Sequence, residues 1–202
     1  MSQTHTAVSQ NSLSWLPASR AVQFPLAVIA GSVLLALSAH IAVPLFFTPV
    51  PFTLQPMAVL LLGLMLDPAV AFATLVAYLV EGASGLPVFA PGGASGFLAL
   101  LGPSAGFLWA YPFAVVLVSK LYRTLRPSSF TSAALSAAAG AVVYFTGGAC
   151  WFAVLLHQPM SIALKMTVWP FLAGDALKVV FAAAFVTGLS RLRSRGSAQP
   201  AV

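Results

Sequence analysis

Acidic side chains are nearly missing from this chain: Asp67, Glu81 and Asp175 are the three among 202 residues, beside nine Lys and Arg. With 6% of residues charged and 60% hydrophobic, the chain lacks the ionic surface of a water-soluble fold, and a mean hydropathy of +0.98 assigns it to a membrane. No polar stretch is long enough for a separate soluble domain. A single membrane domain over 21–190 is therefore expected between two tails, 1–20 and 191–202. The lone cysteine, Cys150, excludes an internal disulfide and a multi-cysteine metal site, and reads as a small apolar filler. No G-x-x-x-x-G-K-[ST] run exists, so the chain has no P-loop with which to hydrolyse ATP. His5, His40 and His157 stand far apart without metal-ligand spacing, and no nucleophile is paired with a base, so neither a hydrolase nor a metalloenzyme signature is present and no metal or cofactor is expected. The opening MSQTHTAVSQNSLSWLPASR lacks the basic and apolar regions of a signal peptide, and a short disordered cytoplasmic tail is expected there.

What the chain does have is a series of apolar runs. They predict an all-α integral membrane protein with six transmembrane helices at 22–43, 53–66, 69–81, 103–120, 133–156 and 170–190. Successive prolines in AHIAVPLFFTPVPF end the first run and favour an extended outer loop. Asp67 and Pro68 mark a tight turn between the second and third, and Pro103 and Pro170 are expected as first helical residues, where a missing N–H costs nothing. Residues 82–102, GASGLPVFAPGGASGFLALLG, hold too much glycine and proline for a plain helix and are too apolar for an exposed loop. Such backbone at membrane depth is buried or lines a cavity. Arg20, then Lys120, Arg123 and Arg126, then Arg191, Arg193 and Arg195 fall on one side of a six-span chain, which predicts that both termini are cytoplasmic. The net charge of +6 then reads as topology and attraction to anionic lipid, not as nucleic-acid binding.

The stretch FLAGDALKVVFAAAF, residues 171–185, sets Asp175 and Lys178 inside a run otherwise suited to lipid. A charge near the bilayer centre costs about 2.5–3.5 kcal/mol on insertion scales. Counted from Pro170 at 1.5 Å per residue, the two lie about 8 and 12 Å into the helix, on one face because they are three apart. Together they supply an acceptor and a donor, which matches a small neutral ring bearing N–H and C=O groups, with Tyr78, Phe89, Tyr111 and Trp169 as candidates to hold its apolar part. Glu81 and Asp67 are expected at span ends within reach of water, and Glu81, beside the irregular outer segment, is a further site candidate. Three other readings use the same charges: an ion pair that only fixes helix packing, a structural membrane subunit without ligand, and an ion- or proton-coupled carrier or channel with Asp175 and Lys178 as a charge relay.

FTPVPFTLQP at 47–56, GLPVFAPGG at 85–93, LGPSAGFL at 101–108 and GDALK at 174–178 resemble, in the same order, the motifs of the BioY family. That family is the biotin-specific S component of energy-coupling factor (ECF) transporters. The resemblance implies a six-helix S-component fold in the bacterial cytoplasmic (inner) membrane. It implies biotin bound from the outside and moved inward with a membrane T protein and two ATPase subunits. Whether the chain acts alone, as a homo-oligomer or only with that module is left open. Carried over to this sequence, the site residues are Asp175 and Lys178, hydrogen bonded to the ureido group of biotin. The family's further polar contact from the glycine-rich segment has Ser95 as its one polar candidate in APGGASG. S components also carry an A-x-x-x-A face on the first span for docking to partners. Here that spacing is met by Ala27 with Gly31 and Ser32 with Ala36, small residues that permit close helix approach.

Overall fold

A computed structural model describes residues 20–125, 127 and 129–196; the expected N-terminal tail, apart from Arg20, lies outside them. The chain is mostly helical. Helix α1 (Arg20–His40) leads into two short antiparallel strands, β1 (Ala42–Val43) and β2 (Phe52–Thr53), paired Ala42 to Thr53 and Val43 to Phe52. Next come α2 (Gln55–Met65), α3 (Pro68–Ala83), a 3-10 turn over Gly96–Leu101, α4 (Ala105–Thr124), α5 (Phe130–Leu155), α6 (Met160–Thr167) and α7 (Leu172–Gly196). Among the described residues four segments are long and apolar enough to cross a membrane: Val22–His40, Ala105–Thr124, Phe130–Leu155 and Leu172–Leu192. Helices α2 and α3, of 11 and 16 residues, are apolar but shorter. Proline sits in the first turn of each, and the Leu66–Asp67 turn between them limits their length.

Several helix bounds expected from the sequence differ from the structure. The first helix stops at His40, not at 43, because Ala42 and Val43 are drawn into the strand pair. Pro103 and Pro170 sit two residues ahead of α4 and α7, in the turns that lead into them, where the fixed φ of proline serves the turn. Residues 160–167, between the fifth and sixth expected spans, form α6. The helix expected to end at 190 continues to Gly196, since LSRLRSR contains only residues that tolerate a helix. The polar C-terminal tail therefore begins as helix.

Packing relies on small residues, as it must where lipid removes the hydrophobic drive between helices. A Cβ on Gly106 of α4 would stand 2.4 Å from the carbonyl oxygen of Gly147 on α5, so the two backbones touch. Helix α1 lies on α3 in the same way, since a Cβ on Gly31 would meet Thr74 Cγ2 at 2.6 Å. Part of the small-residue stripe of α1 is thereby in contact inside the molecule. Gly31 and Ser32 are buried, whereas Ala27 and Ala36 are half-buried, Ala36 against the core. The Ser32 hydroxyl donates to the Glu81 carboxylate of α3, so the two residues form an α1–α3 contact. The face that α1 turns outward carries Ile29, Val33 and Leu37.

Large side chains such as Leu177, at 72% exposure, and Val142, at 65%, point away from the bundle, as lipid-facing positions do. Hydroxyls within the helices bond to their own backbone, Thr74 to Val70 O, Ser136 to Ser132 O and Thr187 to Ala183 O, so they need no water. Asp67, at the turn between α2 and α3, accepts from Arg123 Nη2 of α4 at 2.8 Å. This half-exposed pair adds little stability and marks one end of the bundle.

Candidate functional site

One cavity of about 330 Å³ opens between the chain preceding α2, the irregular segment after α3, and helices α4, α5 and α7. Its lining includes Pro44, Pro49 and Pro51 from the chain before α2 and Pro91, Gly92 and Gly93 from the irregular segment. The expectation that residues 82–102 would line a cavity is met by Phe89 to Ala94, Ala99 and Gly102. Gly85 and Gly92 take φ of +98° and +89°, which side chains with a Cβ rarely adopt, so the turns of this wall need glycine. Indole groups secure its far end: Trp109 Nε1 donates to Leu100 O at 3.0 Å and Trp151 Nε1 to Gly102 O at 2.9 Å. The opposite wall is tied down by Thr48, whose hydroxyl donates to Met166 O of α6.

Asp175 and Lys178 both line the cavity and are 4% and 5% exposed. Lys178 Nζ donates to Asp175 Oδ1 at 2.6 Å, and the Tyr144 hydroxyl of α5 donates to Asp175 Oδ2 at 2.8 Å. Because α7 starts at Leu172, Asp175 belongs to its first turn and lies closer to the helix end than the sequence suggests. A carboxylate there is stabilised by the positive end of the helix dipole. The ammonium of Lys178 lies 4.0 Å from the ring centroid of Phe52, and Phe52 stacks on Phe171 at 6.1 Å and 12°. Gly174 permits this, since a Cβ there would come within 2.5 Å of the Phe52 ring. The charged pair thus sits in an aromatic wall, with one acceptor and one donor facing an apolar space. Among the described residues no three His, Cys, Asp or Glu side chains cluster as metal ligands would.

The structure brings together four of the candidates from the sequence: Asp175, Lys178, Phe89 and Tyr111 line the cavity. Tyr78 stands one layer behind, fully buried, with its ring edge-on to Phe89 at 5.4 Å. Ser95 is exposed next to Ala94, Glu81 is engaged by Ser32, and Trp169 is 66% exposed; none of the three lines the cavity. The residue that fills the expected place of Trp169 is Phe171. A shift of two residues in the start of α7 turns the one ring outward and the other in. Gln55, Tyr144 and Phe171 also line the cavity, and Phe52 packs on Lys178 beside it, without any of the four having been singled out by sequence. Gln55 alone had a signal, as an amide inside an apolar run within FTLQP.

The comparisons with known proteins agree with this architecture. The model of the BioY family matches residues 9–195, nearly the whole chain. The chain belongs to the BioY family. Within that family, the probable biotin transporter BioY of Bacillus subtilis (strain 168) is 37% identical over 147 residues, which cover 69% of this chain and 76% of the relative. Biotin transporter BioY2 of Lactococcus lactis subsp. cremoris (strain MG1363) is 30% identical over 164 residues, 81% of this chain and 87% of that protein. Among solved structures, the crystal structure of the S-component for biotin from an ECF-type ABC transporter shares the fold, with a TM-score of 0.78 at 23% identity over 87% of this chain and 95% of the other. In this BioY chain the irregular segment and α7 are thus the parts of a family fold that meet around the cavity. It is a transport subunit and not an enzyme.

Proposed function

We propose that this chain binds biotin in the cavity and serves as the substrate-specific subunit of an ECF transporter. The observation that carries the reading is the Asp175–Lys178 pair, 2.6 Å apart, buried at the wall of an apolar cavity in a membrane bundle of this family. A cyclic urea offers an N–H donor to a carboxylate and a carbonyl oxygen to an ammonium. The remainder of biotin is apolar and fits against Phe89, Phe171 and Tyr111. Cavities of about 300–1,000 Å³ with few polar groups suit small ligands, and this one lies at the small end. The charge-relay reading gains nothing from the geometry, because each charge is already engaged by a partner at the cavity wall. The test is direct: the chain purified in detergent is expected to carry biotin, and biotin at about a thousand times its Kd should add about 4 kcal/mol to folded-state stability. No bound biotin and no shift in Tm on adding it would end this reading.

Under the same proposal, the chain crosses the bacterial inner membrane six times as one domain, with α2 and α3 as short spans and both termini cytoplasmic. Transport is then driven by a T protein and two ATPases, which supply the nucleotide chemistry that this sequence lacks. The one-sided basic links support the orientation. In a Cys150→Ala background, Ser95→Cys and His157→Cys are expected to react with an impermeant thiol reagent added outside whole cells. Both positions are exposed in the structure, so access is not limited by packing. Labelling of either from the cytoplasmic side alone would invert the topology.

A further inference from the structure

Gln55 is 4% exposed, lines the cavity and opens α2. Its amide is fixed by a chain of two hydrogen bonds. The Tyr78 hydroxyl lies 2.9 Å from Val88 O, and a carbonyl oxygen only accepts, so the single hydroxyl hydrogen of Tyr78 is committed to Val88. Toward Gln55, Tyr78 can then only accept, and Gln55 Nε2 donates to it at 3.2 Å. The amide nitrogen is therefore turned to the protein and the amide oxygen away from it. Among the described residues no donor reaches Oε1, yet no side-chain polar atom that is sealed from solvent lacks a partner. Oε1 consequently opens onto the cavity as an unpaired acceptor. In a dry site, such a group costs about 1–3 kcal/mol unless a ligand donor meets it.

We infer that Gln55 is a ligand-contacting, specificity-determining residue whose Oε1 accepts one N–H of the bound ring, with Tyr78 as the positioning residue behind it. This rests on the biotin reading above and completes its hydrogen-bond count. Both oxygens of Asp175 already take a donor from the protein, Oδ1 from Lys178 and Oδ2 from Tyr144. Asp175 can take one ureido N–H beside these, Lys178 serves the carbonyl oxygen, and the second N–H goes to Gln55. The site so built selects for two N–H groups flanking one carbonyl. It discriminates against rings in which the N–H on the Gln55 side is replaced by O, S or N-alkyl, because Oε1 would then be left unpaired.

The test is a cycle between residue and ligand, with Kd measured by calorimetry for biotin and for two derivatives, each methylated on one ureido nitrogen. Gln55→Leu, of similar size and without the acceptor, is expected to bind biotin about tenfold more weakly. One methylated derivative should bind wild type weakly and be indifferent to Gln55→Leu; the other should still feel it. Tyr78→Phe releases the amide and should lose part of the biotin affinity with the same indifference to the first derivative, so it carries the test should Gln55→Leu fail to fold. Wild-type affinity for biotin in a folded variant overturns the inference. So does an equal loss for all three ligands, which would make Gln55 merely structural. If wild type binds biotin while the Gln55 inference fails, the biotin reading survives; if wild type binds none of the ligands, both fall.

Discussion

Replacing both charges of the pair, Asp175→Asn with Lys178→Met, is expected to weaken biotin binding at least about a hundredfold in a protein that still folds. Each hydrogen bond to a charged group contributes about 1.5–3 kcal/mol, so two of them together account for two or more decades of affinity. The single variants are expected to lose binding as well, but also stability, because each leaves a buried charge without its 2.6 Å partner. Neither is left entirely alone. Asp175 keeps the Tyr144 hydroxyl when Lys178 is removed, and Lys178 keeps the face of Phe52 when Asp175 is neutralised. The double variant has no unpaired charge and should recover much of the stability lost in either single one. Calorimetric Kd beside thermal stability for the four proteins decides the matter. A stable double variant that binds biotin like wild type would reduce Asp175 and Lys178 to a packing pair.

Gly106→Val is expected to destabilise the fold by about 3 kcal/mol or more, the largest stability effect of a single change outside the site. The added atoms would have to occupy space 2.4 Å from Gly147 O and 2.3 Å from Trp151 Cβ, and backbone cannot yield as a flexible side chain does. Forcing α4 and α5 apart would also strain the Trp151 bond to Gly102 O and move Phe107, both at the cavity wall. Biotin affinity should therefore fall with stability. Gly188→Val on α7 is the control: a Cβ there meets nothing within 4 Å, and the change should stay under about 1 kcal/mol. Thermal unfolding of both variants in the same detergent separates a packing constraint from the loss of glycine as such. Equal stability of Gly106→Val and wild type would mean that the α4–α5 contact is looser than described.

Much of the helix pattern was legible because lipid imposes a simple rule: apolar runs become helices, and charges within them must have a reason. Asp175 and Lys178 could be read as site candidates for that cause alone, whatever surrounds them. The residues missed were of ordinary kinds in ordinary places. Tyr144 in an apolar helix and Phe52 beside prolines have no local feature that distinguishes them from packing. Their significance is set by Asp175 and Lys178, which lie in a distant part of the chain. Trp169 and Ser95 were misplaced for a related reason. Proximity in sequence to a site says nothing of which way a side chain turns, and the later start of α7 sent Phe171 inward. The small-residue stripe of α1 marks a close approach, but not to which helix; Gly31 spends it on Thr74 of α3.

The sequence by itself determined the solvent, the apolar helices, the irregular segment and the two charges that a lipid environment makes costly, since each follows from composition and local spacing. The tertiary structure alone decided how those charges are satisfied. It placed Tyr144 on one carboxylate oxygen and Lys178 on the other, set the ammonium against Phe52, and left Gln55 with an open oxygen at the wall. Such assignments depend on which helix faces which and by what rotation. Those are fixed by the fit of glycines and rings across the bundle, a property of pairs of surfaces that no single stretch of chain contains.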